Sequence, residues 1–127
     1  ELVPLEQLLT EADIVSLHLT YDADTHHLLN GETFARMKPG AVVINTARGG
    51  LIDETALAEA LTSGQLGAAA LDVFEQEPYH GPSIKCDNAI LTSHIGSLAR
   101  ESRLRMEIEA AENLWQGLIK AGLMKDR

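Results

Sequence analysis

One cysteine, four prolines and few aromatic rings stand in a chain of 127 residues. A lone thiol, Cys86, closes no internal disulfide and builds no thiolate metal cluster; it fits a reducing compartment, and a cytoplasmic location is expected. Positive charge is also scarce. Ten Lys and Arg against nineteen Asp and Glu leave a net charge of −9. Nucleic acid and anionic membrane are polyanions that such a chain repels at long range, so neither is expected as a partner. No apolar run reaches membrane-spanning length. An initiator Met is missing too: the chain opens at Glu1, directly in "LVPLEQLL". That start reads as the tail of a structural unit, and a piece of something longer is the expectation.

What is present suits one modest domain with a buried core, since 45% of residues are apolar. Leu5, Leu8, Leu9 and Ala12 fall at helical spacing. "DIVSLHL", Asp13 to Leu19, reads as a buried strand, and the polar "TYDADTHH" as a loop. "NGETFARM" predicts a brief helix, which the Pro39–Gly40 turn ends. "AVVINTA" is a second strand. Asp53 then caps a helix through "ETALAEALTSG", with Ile52, Leu57 and Leu61 on one face and Gly64 as its stop. "GAAALDVF" and "AILTSH" (Ala89 to His94) are the third and fourth strands, joined by an irregular connection. A long helix is expected from about residue 98 to 118, with Leu104, Ile108, Ala111, Trp115 and Leu118 at alternating spacings of four and three. Strands alternating with helices, and apolar on both faces, imply an α/β fold: a parallel sheet with helical crossovers.

In an open parallel sheet, ligands bind outside the carboxyl ends of the strands. That rule singles out His18 and Leu19, then Thr46, Ala47 and Arg48, then Asp72, Glu75 and Glu77, and finally His94 and Gly96. Arg48 carries a planar, permanently charged fork that matches a carboxylate bidentately. It serves equally as a structural partner of Glu75 or Glu77 at the rim. His94 has the chemistry of a general acid/base, and Glu77 is a candidate to fix its tautomer; a satisfied surface or core histidine is the plainer alternative. Asp72 can accept from a ligand amide or hydroxyl, or serve as a turn residue. His26, His27 and His80 sit in polar loops, and no spacing matches a zinc site, so no metal is expected.

The ordered run "DIVSLHL", "LLN", "MKPGAVVINTARGGLIDETAL", "SGQLGAAALDVFEQEP" and "NAILTSHIGS" resembles the D-isomer-specific 2-hydroxyacid dehydrogenases, a family that includes D-3-phosphoglycerate dehydrogenase. The likeness runs from about Ala12 to Arg103. It implies a Rossmann-type, doubly wound NAD-binding domain and an oxidoreductase acting on a D-2-hydroxy acid and its 2-keto acid. It also carries roles onto residues. Arg48 corresponds to the substrate-carboxylate anchor, His94 to the acid/base, and Glu77, directly before proline, to the carboxylate assisting it. Leu19, Thr46, Ala47, Asp72, Gly96 and Ser97 map onto cofactor-binding positions. NAD is the implied cofactor, a small 2-hydroxy or 2-keto acid the partner, and a homo-oligomer, with a dimer favoured, the assembly.

Two departures are local: Thr20 and Ser93 stand where the family often has proline. A larger one is the lack of any G-x-G-x-x-G phosphate loop in the 127 residues. The family's ribose-binding acidic position lies upstream of the matching segment, so NADP stays open beside NAD. Residues 1–127 are therefore expected to be the second half of the cofactor domain plus its returning helix, with glycine loop and substrate domain absent. Such a chain is expected to be inactive alone. The alternative is a non-enzymatic dinucleotide-binding sensor or co-repressor on the same scaffold.

Overall fold

The computed structural model describes residues 1–124 and divides the chain into two units, the first ending at His94 and the second beginning at Ile95. In the first unit, α1 (Leu5–Glu11) leads to β1 (Ile14–Leu17), α2 (Gly31–Arg36) to β2 (Ala41–Asn45), and α3 (Glu54–Thr62) to β3 (Leu66–Leu71). A 3-10 turn at Pro82–Lys85 precedes β4 (Ala89–Leu91). All pairings are parallel, in the order β1-β2-β3-β4. The second unit holds α4 (Arg100–Lys120). Among the described residues, no helix is long and apolar enough to cross a membrane.

Helix starts follow local chemistry. Asn30 Oδ1 accepts from the amides of Glu32 and Thr33, while Thr33 Oγ1 accepts from the Asn30 amide at 2.7 Å, a reciprocal capping box. Asp53 Oδ1 accepts from Thr55 and Ala56, both at 3.0 Å, so the expected cap of α3 is in place. Gly64, at φ +78°, follows the end of α3 in the left-handed conformation that glycine adopts most cheaply.

Register explains the core. Val15 lies beside Val43, Val43 beside Ala69 and Ala69 beside Ala89. One step on, Leu17, Asn45, Leu71 and Leu91 form the next row. These rows lie on the inner face, whose residues join Leu9, Phe34, Leu57 and Leu61 of the helices in one buried cluster. The alternate residues Ile14, Ser16 and Ile90 are exposed, and Val42, Ile44 and Ala70 are half-buried.

This modifies the sequence-based expectation. Apolar residues stand on both faces, as read, but within the first unit the burial is concentrated on one. The strands are also shorter than their apolar runs. Residues 46–48, 72–74 and 92–94 leave the ladder because their backbones turn toward the rim, the last bonds being Asp72 N–H to Asn45 and Thr92 N–H to Leu71. The long helix begins at Arg100 rather than near residue 98.

The packing yields a test by urea denaturation of the 127-residue chain. Leu57 is fully buried, so Leu57→Ala is expected to cost about 2–5 kcal/mol through lost burial and a cavity. Asp53→Ala should cost about 1 kcal/mol through the lost cap. A Leu57→Ala midpoint equal to that of the parent would contradict this core.

Candidate active site

Parallel strands bring their carboxyl ends to one side, and the chemistry collects there. The segments following β1 and β2 enclose a cleft of about 500 Å³ lined by His18, Leu19, Thr20, Tyr21, Ala47 and Arg48. Thr46 is exposed, Ala47 half-buried and Arg48 exposed.

The position of Arg48 depends on a residue that sequence reading passed over. Asn45, inside an apolar strand, is buried; its Oδ1 accepts from the Ala47 amide at 3.0 Å and its Nδ2 donates to the Arg48 carbonyl at 2.9 Å. A buried amide satisfied on both sides fixes the turn between them. The signal was available as a polar side chain ending the run "AVVI". After Arg48 comes Gly49, where an added Cβ would lie 1.9 Å from the Phe74 carbonyl carbon. The arginine turn therefore presses against the backbone of the segment that carries Glu77.

Arg48 Nη1 donates to its neighbour's carbonyl, Ala47 O, at 2.6 Å. Among the described residues it makes no ion pair, because the two carboxylates read as its structural partners are engaged elsewhere. Glu75 pairs with His27, and Glu77 with His94. The plainer reading of Arg48 as a brace to either glutamate does not hold.

His94 Nδ1 lies 3.1 and 3.0 Å from the two oxygens of Glu77. The Phe74 amide donates to Glu77 Oε1 at 3.2 Å. The hydrogen bond to His94, reinforced by the Phe74 amide and the histidine charge, holds the Glu77 carboxyl below the usual carboxylate range against the desolvation it suffers. A carboxylate on Nδ1 favours the tautomer with its proton there, which leaves the lone pair on Nε2. His94 itself sits at φ 55°, in the left-handed region that few side chains adopt.

Asp72 is buried, and Thr92 Oγ1 donates to its Oδ1 at 2.6 Å. Both are rim residues, just past the ends of β3 and β4. Leu19 is half-buried against the core cluster. Gly96 and Ser97 belong to the second unit, in a turn closed by the Leu98 amide on the Ile95 carbonyl at 3.0 Å; their part in cofactor binding rests on the resemblance.

Sequence reading left His26 and His27 in an uninformative loop, yet a short parallel zipper ties that loop to the arginine turn. The His27 amide donates to Gly50 and the Leu29 amide to Leu51. His26, His27 and Glu75 place potential ligand atoms within 4.8 Å of one another. The two histidine rings stack at 3.8 Å and 26°. Glu54 was missed as well: its Oε1 accepts from the Glu75 amide at 2.8 Å. Burial raises the Glu54 carboxyl above its ordinary value, with Glu75 and Asp53 adding to the rise while the Glu75 amide opposes it.

Residues 1–96 match the family profile described as "D-isomer specific 2-hydroxyacid dehydrogenase, NAD binding domain". The chain belongs to the D-isomer-specific 2-hydroxyacid dehydrogenase family. Its sequence is 46% identical over 116 residues to a glyoxylate reductase of Korarchaeum cryptofilum, covering 90% of this chain and 35% of that protein. A crystal structure of a glyoxylate reductase from Paecilomyes thermophila superposes with a TM-score of 0.87 at 40% identity, over 94% of this chain and 37% of that one. D-Lactate dehydrogenase from Aquifex aeolicus, crystallised with NAD and lactic acid, superposes with a TM-score of 0.79 at 32% identity, over 95% and 41% of the respective chains. The chain thus spans about a third of the length of that curated glyoxylate reductase. The Rossmann-type fold expected for this dehydrogenase family is the one found.

The Glu77 shift has a definite sign. Its folded value lies below that of an unfolded glutamate, so its contribution to stability is present above the unfolded value and is lost as pH falls through the folded one. His94→Ala removes the main cause. Carboxyl 13C titration by NMR should then show Glu77 moving up toward the ordinary glutamate value, whereas an unmoved titration would deny the coupling.

Proposed function

We propose that this chain carries the acid/base and carboxylate-binding residues of a dehydrogenase that interconverts a D-2-hydroxy acid and its 2-keto acid with NAD. The observation that supports this best is the pairing on the rim. His94 is held by Glu77, while Arg48 has no carboxylate partner among the described residues.

In the oxidation direction, Arg48 receives the substrate carboxylate through its guanidinium fork. His94 Nε2 takes the hydroxyl proton as the C2 hydride leaves, and Glu77 stabilises the imidazolium that forms. Bound nicotinamide supplies the hydride acceptor, or the donor in the reverse direction. In reduction, His94 returns the proton to the keto oxygen, and Arg48 polarises the carbonyl. The rim suits the nicotinamide end of the cofactor. Thr46 and Ala47 are small, the cleft beside them is open, and Asp72 is a carboxylate close to them at the end of the neighbouring strand. No G-x-G-x-x-G cradle for the pyrophosphate occurs in the 127 residues. We therefore read residues 1–127 as the second half of the cofactor domain with its returning helix. On this reading the chain binds NAD weakly and turns over negligibly by itself.

Glyoxylate and hydroxypyruvate are the first substrates to try, from the names of similar proteins. A cytoplasmic, dimeric enzyme belongs to the same proposal. The single unpaired Cys86 agrees with a reducing compartment. A dinucleotide sensor without turnover is not favoured, since the similar proteins are named as reductases and dehydrogenases.

The test is NADH oxidation by the full product of the reading frame, with a panel of 2-keto acids. His94→Ala should lower kcat by about 10²- to 10⁴-fold while sparing dinucleotide binding. Arg48→Lys should raise KM, because an ammonium cannot reproduce the bidentate fork. Dinucleotide binding without turnover of any 2-keto acid would overturn the enzymatic reading in favour of the sensor.

A further inference from the structure

We propose that Glu54 is a positioning residue for the His94–Glu77 pair, acting through the backbone of residues 74–77. The proposal rests on the acid/base reading above and adds a residue that the sequence motifs did not single out.

The segment from Phe74 to Glu77 is irregular, so no ladder holds it. Two consecutive amides help to do that instead, each through a different glutamate. Phe74 N–H donates to Glu77 Oε1 at 3.2 Å, and Glu75 N–H donates to Glu54 Oε1 at 2.8 Å. The first bond aims the glutamate that touches His94. The second ties the next peptide to the first residue of α3, itself set by the Asp53 cap. On another side the same peptide meets Gly49, whose hypothetical Cβ would lie 2.3 Å from the Glu75 nitrogen. The Phe74 ring stacks on Tyr79 with centroids 4.0 Å apart. Without Glu54, the Glu75 amide loses its carboxylate acceptor, and residues 75–77 beyond the Gly49 contact lose one of their anchors.

A carboxylate in the first turn of a helix has a simpler use, complementing the positive end of the helix dipole. That use is open to Glu54 too, but it does not account for the bond to the Glu75 amide. Glu54 is half-buried and close enough to Asp53 and Glu75 to feel both like charges. Desolvation and like charge both disfavour the ionised form. The bond to the Glu75 amide is the contact by which Glu54 reaches the segment carrying Glu77.

The experiment uses the 127-residue chain with 13C-labelled glutamate and three variants. Glu54→Ala removes the acceptor, Glu54→Asp withdraws it by one methylene while keeping the charge, and Glu54→Gln keeps an oxygen acceptor without the charge. In the Ala and Asp variants, the Glu75 amide should exchange with solvent about tenfold faster or more. The Glu77 carboxyl should titrate upward, toward the ordinary glutamate value. Glu54→Gln should keep both readouts at the parent values. Thermal unfolding followed in parallel separates this from general loosening, and the Asp variant carries the test if the Ala variant does not fold. The proposal is overturned if Glu77 titrates as in the parent once Glu54 is shortened or removed. It is equally overturned if the Gln variant shifts Glu77 as much as Ala does, because charge and not the acceptor would then be responsible. No turnover is measured, so the positioning role can fail while the dehydrogenase reading stands, and the reverse.

Discussion

The rim is organised around a missing atom. Gly49 has no Cβ, and none could be added, since it would sit 1.9 Å from the Phe74 carbonyl carbon and 2.1 Å from its oxygen. Those distances lie far inside any van der Waals contact, and the obstacle is backbone, which cannot swing aside like the end of a side chain. The turn after β2 and the segment after β3 can share that space only because one of them is reduced to its main chain. Arg48 immediately precedes the contact, and Glu77 follows it by three residues from Phe74. Arg48, the proposed anion-binding group, and Glu77, which pairs with His94, are thus fixed relative to each other by backbone. Two long side chains reaching toward one another would fix them far less well.

Charge is then sorted around that contact. A chain with nineteen carboxylates has many ways to neutralise an arginine, and most would leave Arg48 useless for an anionic ligand. Histidines prevent this by taking the nearby glutamates: Glu75 goes to His27 and Glu77 to His94. Asn45 contributes from below by satisfying the turn with an amide, which fixes geometry without adding charge. The net charge of −9 repels anions at long range, yet a bidentate fork acts at contact, where screening by salt matters less. In the proposed reading, capture of a small carboxylate therefore depends on the local fork.

What could be read from the sequence divides by distance along the chain. Alternating apolar runs and breakers revealed the parallel sheet, and a carboxyl-end rule then collected Arg48, Asp72, Glu77 and His94 on one rim. Asp53 was legible because a cap acts on the next two or three residues. The burial of the sheet was not, because an apolar run records what a face is made of and not what covers it. Strand ends were overestimated for a related reason: Val73 and Phe74 stay apolar and buried after the chain has left the ladder. Least legible were the bonds between remote residues. His27 and Glu75 are 48 positions apart, and Glu54 and the Glu75 amide 21. No local spacing encodes such pairs; only the fold brings them together.

His94 shows where local preference and site geometry part. A φ of 55° would suit glycine, and a β-carbon there carries strain of order 1–3 kcal/mol. Glycine would relieve the strain and remove the imidazole. The short β4 ends at Leu91, and its chain leaves the sheet at Thr92, whose hydroxyl is held by Asp72. Two residues later the ring nitrogen lies 3.0 Å from Glu77 Oε2. With so few residues between the last ladder bond and the ring, the backbone has little room to reach that position from an ordinary conformation. The left-handed residue and the charged hydrogen bond are therefore coupled. The bond to Glu77 offsets the strain at His94, and the groups that hold Glu77 in place help to hold His94 in a conformation it would not choose alone.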